Sequence, residues 1–184
     1  NERDGAAFDL YRYDTQTYSR SMLYENEGGL DLGGVSHDGR WVVYVRNNSN
    51  SDSDLFLIDL VSDELELLNI TPHRGDVEHS AMGFTPDSKK LIYSTNEYGE
   101  FRQAWTLELE TGRREVLIAE DWDVMYVGYS PSGRYQVSGV NNDASTHVTM
   151  LDLKSGQEVL LENIPNGDLA QVRFNRDESA IAFG

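Results

Sequence analysis

Short runs of apolar residues alternate with polar turns along the whole chain, and no stretch keeps the spacing of an amphipathic helix for more than about two turns. The runs are rich in β-branched and aromatic residues. Gly, Pro, Asn, Asp and Ser bound them, which is typical of strands joined by tight turns. The pattern therefore predicts an all-β protein.

One block, a polar turn that leads into an apolar strand, occurs four times. A large apolar residue precedes each copy, and the equivalent turn positions lie 49, 45 and 45 residues apart. The copies are Ser36-His-Asp-Gly-Arg-Trp-Val-Val-Tyr44, Thr85-Pro-Asp-Ser-Lys-Lys-Leu-Ile-Tyr93, Ser130-Pro-Ser-Gly-Arg-Tyr-Gln-Val-Ser138 and Asn175-Arg-Asp-Glu-Ser-Ala-Ile-Ala-Phe183.

A second block keeps the same period. It is a strand that ends in an acidic residue and is followed by another turn and a short strand. The terminal acids lie 45, 49 and 44 residues apart and are Asp14, Asp59, Glu108 and Asp152. Four strands in each period is the arrangement of a β-propeller blade. A β-sandwich also uses short strands, but it gives no reason for two blocks to recur in step.

The strand count predicts three full blades, at about 30–70, 80–118 and 126–162. Residues 8–24 supply the outer two strands of a blade, and residues 169–184 supply the inner two strands of another. The two half-blades could pair to close a four-bladed ring. We expect instead a segment of a larger propeller, since both ends of the sequence fall within predicted elements.

Composition and charge narrow the possible partners. The 32 Asp and Glu residues outnumber the 15 Lys and Arg residues, for a net charge of −17, which repels phosphate and predicts no nucleic-acid partner. No apolar run approaches the roughly 18 residues of a membrane span, so we expect no membrane insertion. The absence of cysteine excludes disulfides and thiol nucleophiles, and it is compatible with either cytoplasm or periplasm.

The repeated turns, each followed about 20 residues later by a strand ending in Asp or Glu, resemble the repeats of TolB and of prolyl oligopeptidase-family propellers. Further stretches look like bacterial dipeptidyl aminopeptidase and acylaminoacyl-peptidase sequences. They are Leu23-Tyr-Glu-Asn26 with Asp31-Leu-Gly33, Asn50-Ser-Asp-Ser-Asp54, Thr71-Pro-His-Arg-Gly75, Asp121-Trp-Asp-Val-Met-Tyr126 and Asn141-Asn-Asp-Ala144. The resemblance covers essentially the whole chain.

In that family the propeller is N-terminal and caps an α/β-hydrolase domain that carries a Ser-Asp-His triad and cleaves peptides. The resemblance thus implies a non-catalytic segment of a serine peptidase that gates and seats peptide substrates. Its partners would be those peptides and the hydrolase domain of the same parent chain. The resemblance implies no cofactor.

No nucleophile elbow is present in this sequence. The two nearest matches to Gly-x-Ser-x-Gly are Gly34-Val-Ser-His-Asp38 and Gly128-Tyr-Ser-Pro-Ser132, and both lack the last glycine. Both serines belong to the repeated turn, and the four histidines share no spacing that suggests a triad. We therefore expect no catalytic residue in this chain.

An acidic column is the main candidate site. Six residues before each pre-turn apolar position stand Gly29, Glu78, Asp123 and Asp168, where the chain crosses to the next innermost strand. The three acids could form a collar at one mouth of the channel that attracts a substrate ammonium or a basic partner. Alternatively, each bonds backbone N–H groups of its own inter-blade turn. Tyr126, with Trp122 and Met125, could line the same mouth or pack between blades.

The hairpin at 47–54 gives a weaker signal. Its alternating Asn48, Asn50, Asp52 and Asp54 are similar to the start of a calcium loop, but Ser53 occupies the glycine position and Asp59 replaces the final glutamate. We expect a solvated hairpin and no metal site.

Two other functions stay open. A TolB-like propeller would bind proteins without catalysis. A propeller enzyme, such as a lyase or glycosidase, would use channel-facing acids, and Glu78, Asp123 and Asp168 are the only candidates that the sequence offers for that role.

Overall fold

A computed structural model of the protein describes residues 3, 8–164 and 167–184. Sixteen β-strands and no helix lie within those residues. The strands form five antiparallel sheets, three with four strands and two with two strands. The predicted all-β propeller architecture is confirmed. Within the same described residues no helix is long and apolar enough to cross a membrane.

Each four-stranded sheet follows the order of its strands in the chain, as expected when every connection is a hairpin. The first blade consists of β3 (Asp31–Val35), β4 (Trp41–Ser49), β5 (Asp52–Asp59) and β6 (Leu68–Asn69). The second consists of β7 (His79–Phe84), β8 (Lys90–Thr95), β9 (Gln103–Glu108) and β10 (Arg114–Ile118). The third consists of β11 (Val124–Tyr129), β12 (Tyr135–Asn142), β13 (Ser145–Asp152) and β14 (Gln157–Glu158).

The two remaining sheets are half-blades. The N-terminal half-blade pairs β1 (Leu10–Tyr13) with β2 (Arg20–Tyr24). The C-terminal half-blade pairs β15 (Val172–Phe174) with β16 (Ile181–Phe183). In the repeat register, β1 and β2 correspond to the outer two strands of a blade, and β15 and β16 correspond to the inner two.

The hydrophobic core lies between the sheets, because both faces of each blade are apolar. In β4, Val43 packs with the second blade, whereas Val42 and Tyr44 pack toward the N-terminal half-blade. In β8, Leu91 and Tyr93 face the first blade. Alternation along a strand sends successive side chains to opposite faces, so each blade contributes to two cores.

The repeated polar turn is stabilised within its own few residues. The Ser36 hydroxyl donates to Asp38 Oδ1 at 2.5 Å and accepts the Trp41 N–H at 2.8 Å. Gly39 has φ of +74°, a left-handed conformation that glycine adopts without strain. These turns mark one edge of every blade, and the chain crossings between blades mark the other.

Candidate functional site

The innermost strands of four blades, β3, β7, β11 and β15, surround a cavity of about 620 Å³. Its lining combines polar and apolar surface and includes Val35, Phe84, Tyr129 and Phe174, the large residues that precede the four repeated turns. His37, Ser130 and Pro131 of the turns also line it, so the cavity lies toward the turn edge of the channel. The channel is therefore open at this point rather than filled by side chains.

The opposite edge, which we call the crossing face, carries the chain crossings and the hairpins between second and third strands. It has fourteen acidic side chains against two arginines. The edge that carries the repeated turns, the turn face, has twelve acids against eight Lys and Arg. Among the described residues, the crossing face comprises 25–30, 47–54, 70–78, 96–102, 119–123, 141–146, 159–164 and 167–171. The turn face comprises 14–19, 36–40, 59–67, 85–90, 108–114, 130–134, 152–156 and 175–180.

One recurrent contact attaches each crossing to the blade before it. In each full blade, a residue at or next to the start of the third strand forms hydrogen bonds with the chain that crosses to the following blade. The Ser53 hydroxyl donates to the His79 carbonyl at 2.7 Å and accepts the His79 N–H at 2.8 Å. The Thr146 hydroxyl accepts the Leu169 N–H at 3.0 Å. Arg102 occupies the equivalent position in the second blade and uses its backbone N–H instead.

Two of the three predicted acids lie on either side of Arg102. Its backbone N–H donates to Asp123 Oδ1 at 2.7 Å, and its guanidinium lies 3.4 Å from Asp123 Oδ2 and 3.5 Å from Glu78 Oε2. All three side chains are about one-third exposed. The structure thus brings Glu78 and Asp123 together across an arginine. Asp123 therefore bonds the hairpin of the preceding blade.

The third acid, Asp168, belongs to a separate contact. Its Oδ1 accepts the Thr146 hydroxyl at 2.9 Å. Tyr126 packs against the apolar cluster that joins the third blade to the C-terminal half-blade. Burial, with the negative charge of Asp168, raises the pKa of the Tyr126 phenol. Within the described residues the Tyr126 hydroxyl is buried without a hydrogen-bond partner, which favours packing as its role.

A pair of histidines lies between the first and second blades. The His73 and His79 rings have centroids 5.0 Å apart, and the His79 side chain is 2% exposed. Burial, with the nearby charge of His73, lowers the pKa of His79 to about 4. Burial opposes protonation of His73 as well, but the Thr71 carbonyl and the carboxylates of Asp52 and Asp54 outweigh it and raise its pKa.

The contacts of the 47–54 hairpin are those of a structural turn. Asn48 Nδ2 donates to Asp54 Oδ2 at 2.9 Å, and Asn69 Nδ2 donates to Asp54 Oδ1 at 3.1 Å. Asp52 contacts His73 Nε2 at 2.8 Å. Among the residues that the structure describes, no group of three or more His, Asp or Glu side chains is arranged to hold a metal ion.

Four residues were not predicted from the sequence: Arg102, the two histidines and Arg173, which also lines the channel cavity. Arg102 could have been found from the repeat register, because it occupies the position of Ser53 and Thr146 at the start of a third strand. His73 and His79 gave no signal, since their contact depends on how two blades pack together. Arg173 gave one that was overlooked: it occupies the column in which the other blades have Gly34, Gly83 and Gly128.

Comparison with known proteins shows the fold. No family model matches the sequence, and no curated protein matches it. Among solved structures, TolB from Acinetobacter baumannii is 20% identical with a TM-score of 0.59, over 82% of this chain and 36% of that one. Prolyl oligopeptidase B from Galerina marginata, bound to a 35-residue hydrolysis and macrocyclization substrate, is 12% identical with a TM-score of 0.67, over 96% and 28%.

An oligogalacturonate lyase in complex with manganese is also similar, at 16% identity and a TM-score of 0.65, over 96% of this chain and 50% of that one. The chain therefore spans between about a quarter and a half of the length of these proteins. At such identities the likeness defines a class, the β-propeller, of the kind found in TolB and in prolyl oligopeptidases.

Proposed function

We propose that this chain is a non-catalytic propeller segment of a serine peptidase of the prolyl oligopeptidase type. In this proposal it gates access of peptides and seats them against an α/β-hydrolase domain of the same parent chain. Some stretches of the sequence resemble dipeptidyl aminopeptidases and acylaminoacyl-peptidases. Within the prolyl oligopeptidase family, they favour a peptidase of that kind over other members.

The observation that carries the proposal is the channel cavity. Four innermost strands converge on about 620 Å³ of open space lined by both apolar and polar side chains, and this volume is in the range of small-ligand sites. A chain of up to a few residues fits a space of this size, whereas a folded protein does not enter it. Such a passage suits a filter that admits short peptides.

The first test is the coding sequence beyond Gly184. We expect about three further blades and then a Gly-x-Ser-x-Gly motif. A stop codon soon after the ring closes would contradict the peptidase proposal and favour a binding propeller.

A second test blocks the channel in the full-length protein. A Cβ at Gly128 would meet no atom within 4 Å, and Gly128 lines the cavity, so Gly128→Phe places a ring in the passage. We expect kcat/KM for short peptides to fall, while labelling of the active serine by a small fluorophosphonate stays unchanged. Gly99→Phe is the matched control, because a Cβ at Gly99 also meets no atom within 4 Å but lies on the crossing face.

Unchanged peptide turnover in Gly128→Phe would contradict the gating role. The chain alone should show no peptidase, lyase or glycosidase activity. Turnover by this chain that Glu78→Gln or Asp123→Asn abolishes would instead establish an active site of its own.

The charge of the crossing face supports one alternative, a TolB-like propeller that binds a basic protein partner. Fourteen acids against two arginines create a negative field that would attract such a partner. Salt-sensitive binding of a lysine-rich peptide, weakened by neutralising acids of the crossing face and not by Gly128→Phe, would favour this alternative.

A further inference from the structure

The channel cavity differs from the other cavities of the protein in charge. Four other cavities along the described part of the chain each have at least two Asp or Glu side chains in their lining. The channel cavity has none, and the side chains in its lining that can carry a positive charge are Arg173 and His37. In a protein with a net charge of −17, an opening without carboxylates is a local exception that requires an explanation.

In the part of the chain that the structure describes, no carboxylate pairs with Arg173. Among the described residues its guanidinium makes one hydrogen bond, to Gln171 Oε1 at 3.3 Å, and no ion pair. Arg40, Arg102 and Arg134, by contrast, each contact an Asp at 3.4 Å or less. Most donors of the Arg173 guanidinium are therefore available to a ligand in the cavity.

The repeat register explains why there is room beside Arg173. The residue before the pre-turn apolar position is Gly34, Gly83 or Gly128 in the three full blades and Arg173 in the C-terminal half-blade. A Cβ at Gly83 or Gly128 would meet no atom within 4 Å, so these positions border open space. The C-terminal half-blade thus places a long cation at a position where the second and third blades leave open space.

We propose that Arg173 forms an anion site in the channel and that its ligand is a carboxylate, the C-terminal carboxylate of a short peptide. The five N–H groups of a guanidinium match the two oxygens of a carboxylate in a bidentate pair. Phe174, Phe84 and Tyr129 line the same cavity and provide apolar surface for the side chain next to that carboxylate. The proposal rests on the proposed function only for the choice of a peptide as the carrier.

The test is a titration of this chain with a matched pair of peptides, N-acetyl-Phe-Ala as the free acid and as the amide. The Nε–H resonance of Arg173 in a ¹⁵N-labelled sample reports the contact, and calorimetry reports the affinity. We expect the acid to shift that resonance and to bind at least about tenfold more tightly than the amide, because only the acid supplies a charge-assisted pair.

Arg173→Gln should lose the same factor for the acid and change little for the amide. Arg173 is exposed, so the variant should fold, which circular dichroism would verify. Arg176→Gln is the matched control, since it removes the same charge from the nearby turn without lining the cavity. Equal binding of acid and amide, or unchanged binding of the acid by Arg173→Gln, would overturn the proposal. So would the absence of acid binding together with no response of the Arg173 resonance to acetate.

Two simple anions complete the experiment. Sodium acetate that shifts the Arg173 resonance while neither peptide binds would support the carboxylate site but count against the peptide-gating function. Inorganic phosphate that binds at this resonance when acetate and the free-acid peptide do not would overturn the assignment to a carboxylate.

Discussion

The two edges of the blades carry similar numbers of acids but use them differently. On the turn face, the acids that end the third strands are bound within their own repeat. Asp59 accepts Arg40 at 2.7 Å and the Val61 N–H at 3.1 Å, and Asp152 accepts Arg134 at 2.6 Å. On the crossing face, Glu78 and Asp123 share one arginine that belongs to a different hairpin. Acidic side chains therefore make close structural contacts on the turn face. On the crossing face, a single arginine offsets the negative charges of two acids.

The two faces also differ in what shifts the pKa values of their ionisable groups. The hydrogen bond from Arg134, which outweighs burial, lowers the pKa of Asp152 to about 2. Arg40 and the Val61 N–H lower the pKa of Asp59 as well. Next to the crossing face the largest effect is on a histidine, His79, which burial keeps neutral. Local pairing therefore controls the ionisation of these turn-face acids, and packing between blades controls that of His79.

The largest predicted effect is acid destabilisation through His79. Its folded pKa of about 4 lies below the ordinary value of 6.5, so the unfolded chain binds the proton first as pH falls. Stability should drop from about pH 6.5 to about pH 4, by on the order of 3 kcal/mol at most. Urea unfolding at a series of pH values would measure it, and His79→Phe should flatten the slope.

His73 provides the control for that experiment. Its pKa is raised in the folded state, so its contribution is present below pH 6.5 and is lost as pH rises through the folded pKa. His73→Gln should therefore abolish the gain in stability that accompanies a fall in pH towards 6.5. It should also make the loss below pH 6.5 smaller, because the charge of His73 helps to lower the pKa of His79. Equal slopes in wild type and His79→Phe would show that packing between these blades does not control the titration.

The next largest effect concerns Tyr126. A Cβ at Gly139 would lie 2.3 Å from a ring carbon of Tyr126, so Gly139→Ala forces the ring to move. We expect a loss of about 1–3 kcal/mol, typical of overpacking, in the free energy of unfolding. Gly128→Ala is the control, because its Cβ would meet no atom within 4 Å. Equal stabilities of the two variants would argue that Tyr126 is mobile rather than packed.

A smaller effect on stability is expected when an arginine is replaced by glutamine on each of the two faces. Arg134→Gln removes the partner of Asp152, which is 8% exposed, whereas Arg102→Gln removes a cation from two acids that are about one-third exposed. Thermal unfolding should show the larger loss for Arg134→Gln, since an exposed pair contributes at most about 1 kcal/mol. The reverse order would contradict the distinction between the faces.

Those two arginines should also differ in pH dependence. The lowered pKa of Asp152 gives stability that is present above about pH 3.8 and is lost as pH falls through about 2. Arg134→Gln should move that loss to higher pH, and Arg102→Gln should leave it in place.

The smallest predicted effect is at Tyr93. Burial raises the pKa of its phenol to about 12, and within the described residues its hydroxyl is buried without a partner. Tyr93→Phe should be neutral or should stabilise the protein by up to about 1 kcal/mol, because it removes an unsatisfied polar group. A loss of more than that in chemical denaturation would indicate that the hydroxyl does have a partner in solution.

The sequence predicts those features of the molecule that depend on contacts between residues close together in the chain. The turn at 36–41 is set by hydrogen bonds between residues at most five apart, so its chemistry repeats wherever Ser or Thr and Asp recur. The strand alternation likewise requires only neighbouring residues. The all-β propeller was predictable on these grounds, because each repeat encodes its own four strands.

The candidate site could be predicted only in part. The acids Glu78, Asp123 and Asp168 were visible as a column, but their partners Arg102 and Thr146 lie more than twenty residues away in sequence. Whether an acid at a crossing is paired depends on which side chain begins the third strand of the preceding blade. These contacts recur at the same position of each repeat, but the residue type at that position differs from blade to blade.

By itself, then, the sequence determined the repeat, the turns, the strand order within a blade and the excess of negative charge. Only the tertiary structure decided which charges meet, that His79 is buried beside His73, and that Arg173 lines an open cavity. The physical reason is that a blade is built from local hydrogen bonds and alternation, whereas the channel and the two faces are formed where separate blades pack together.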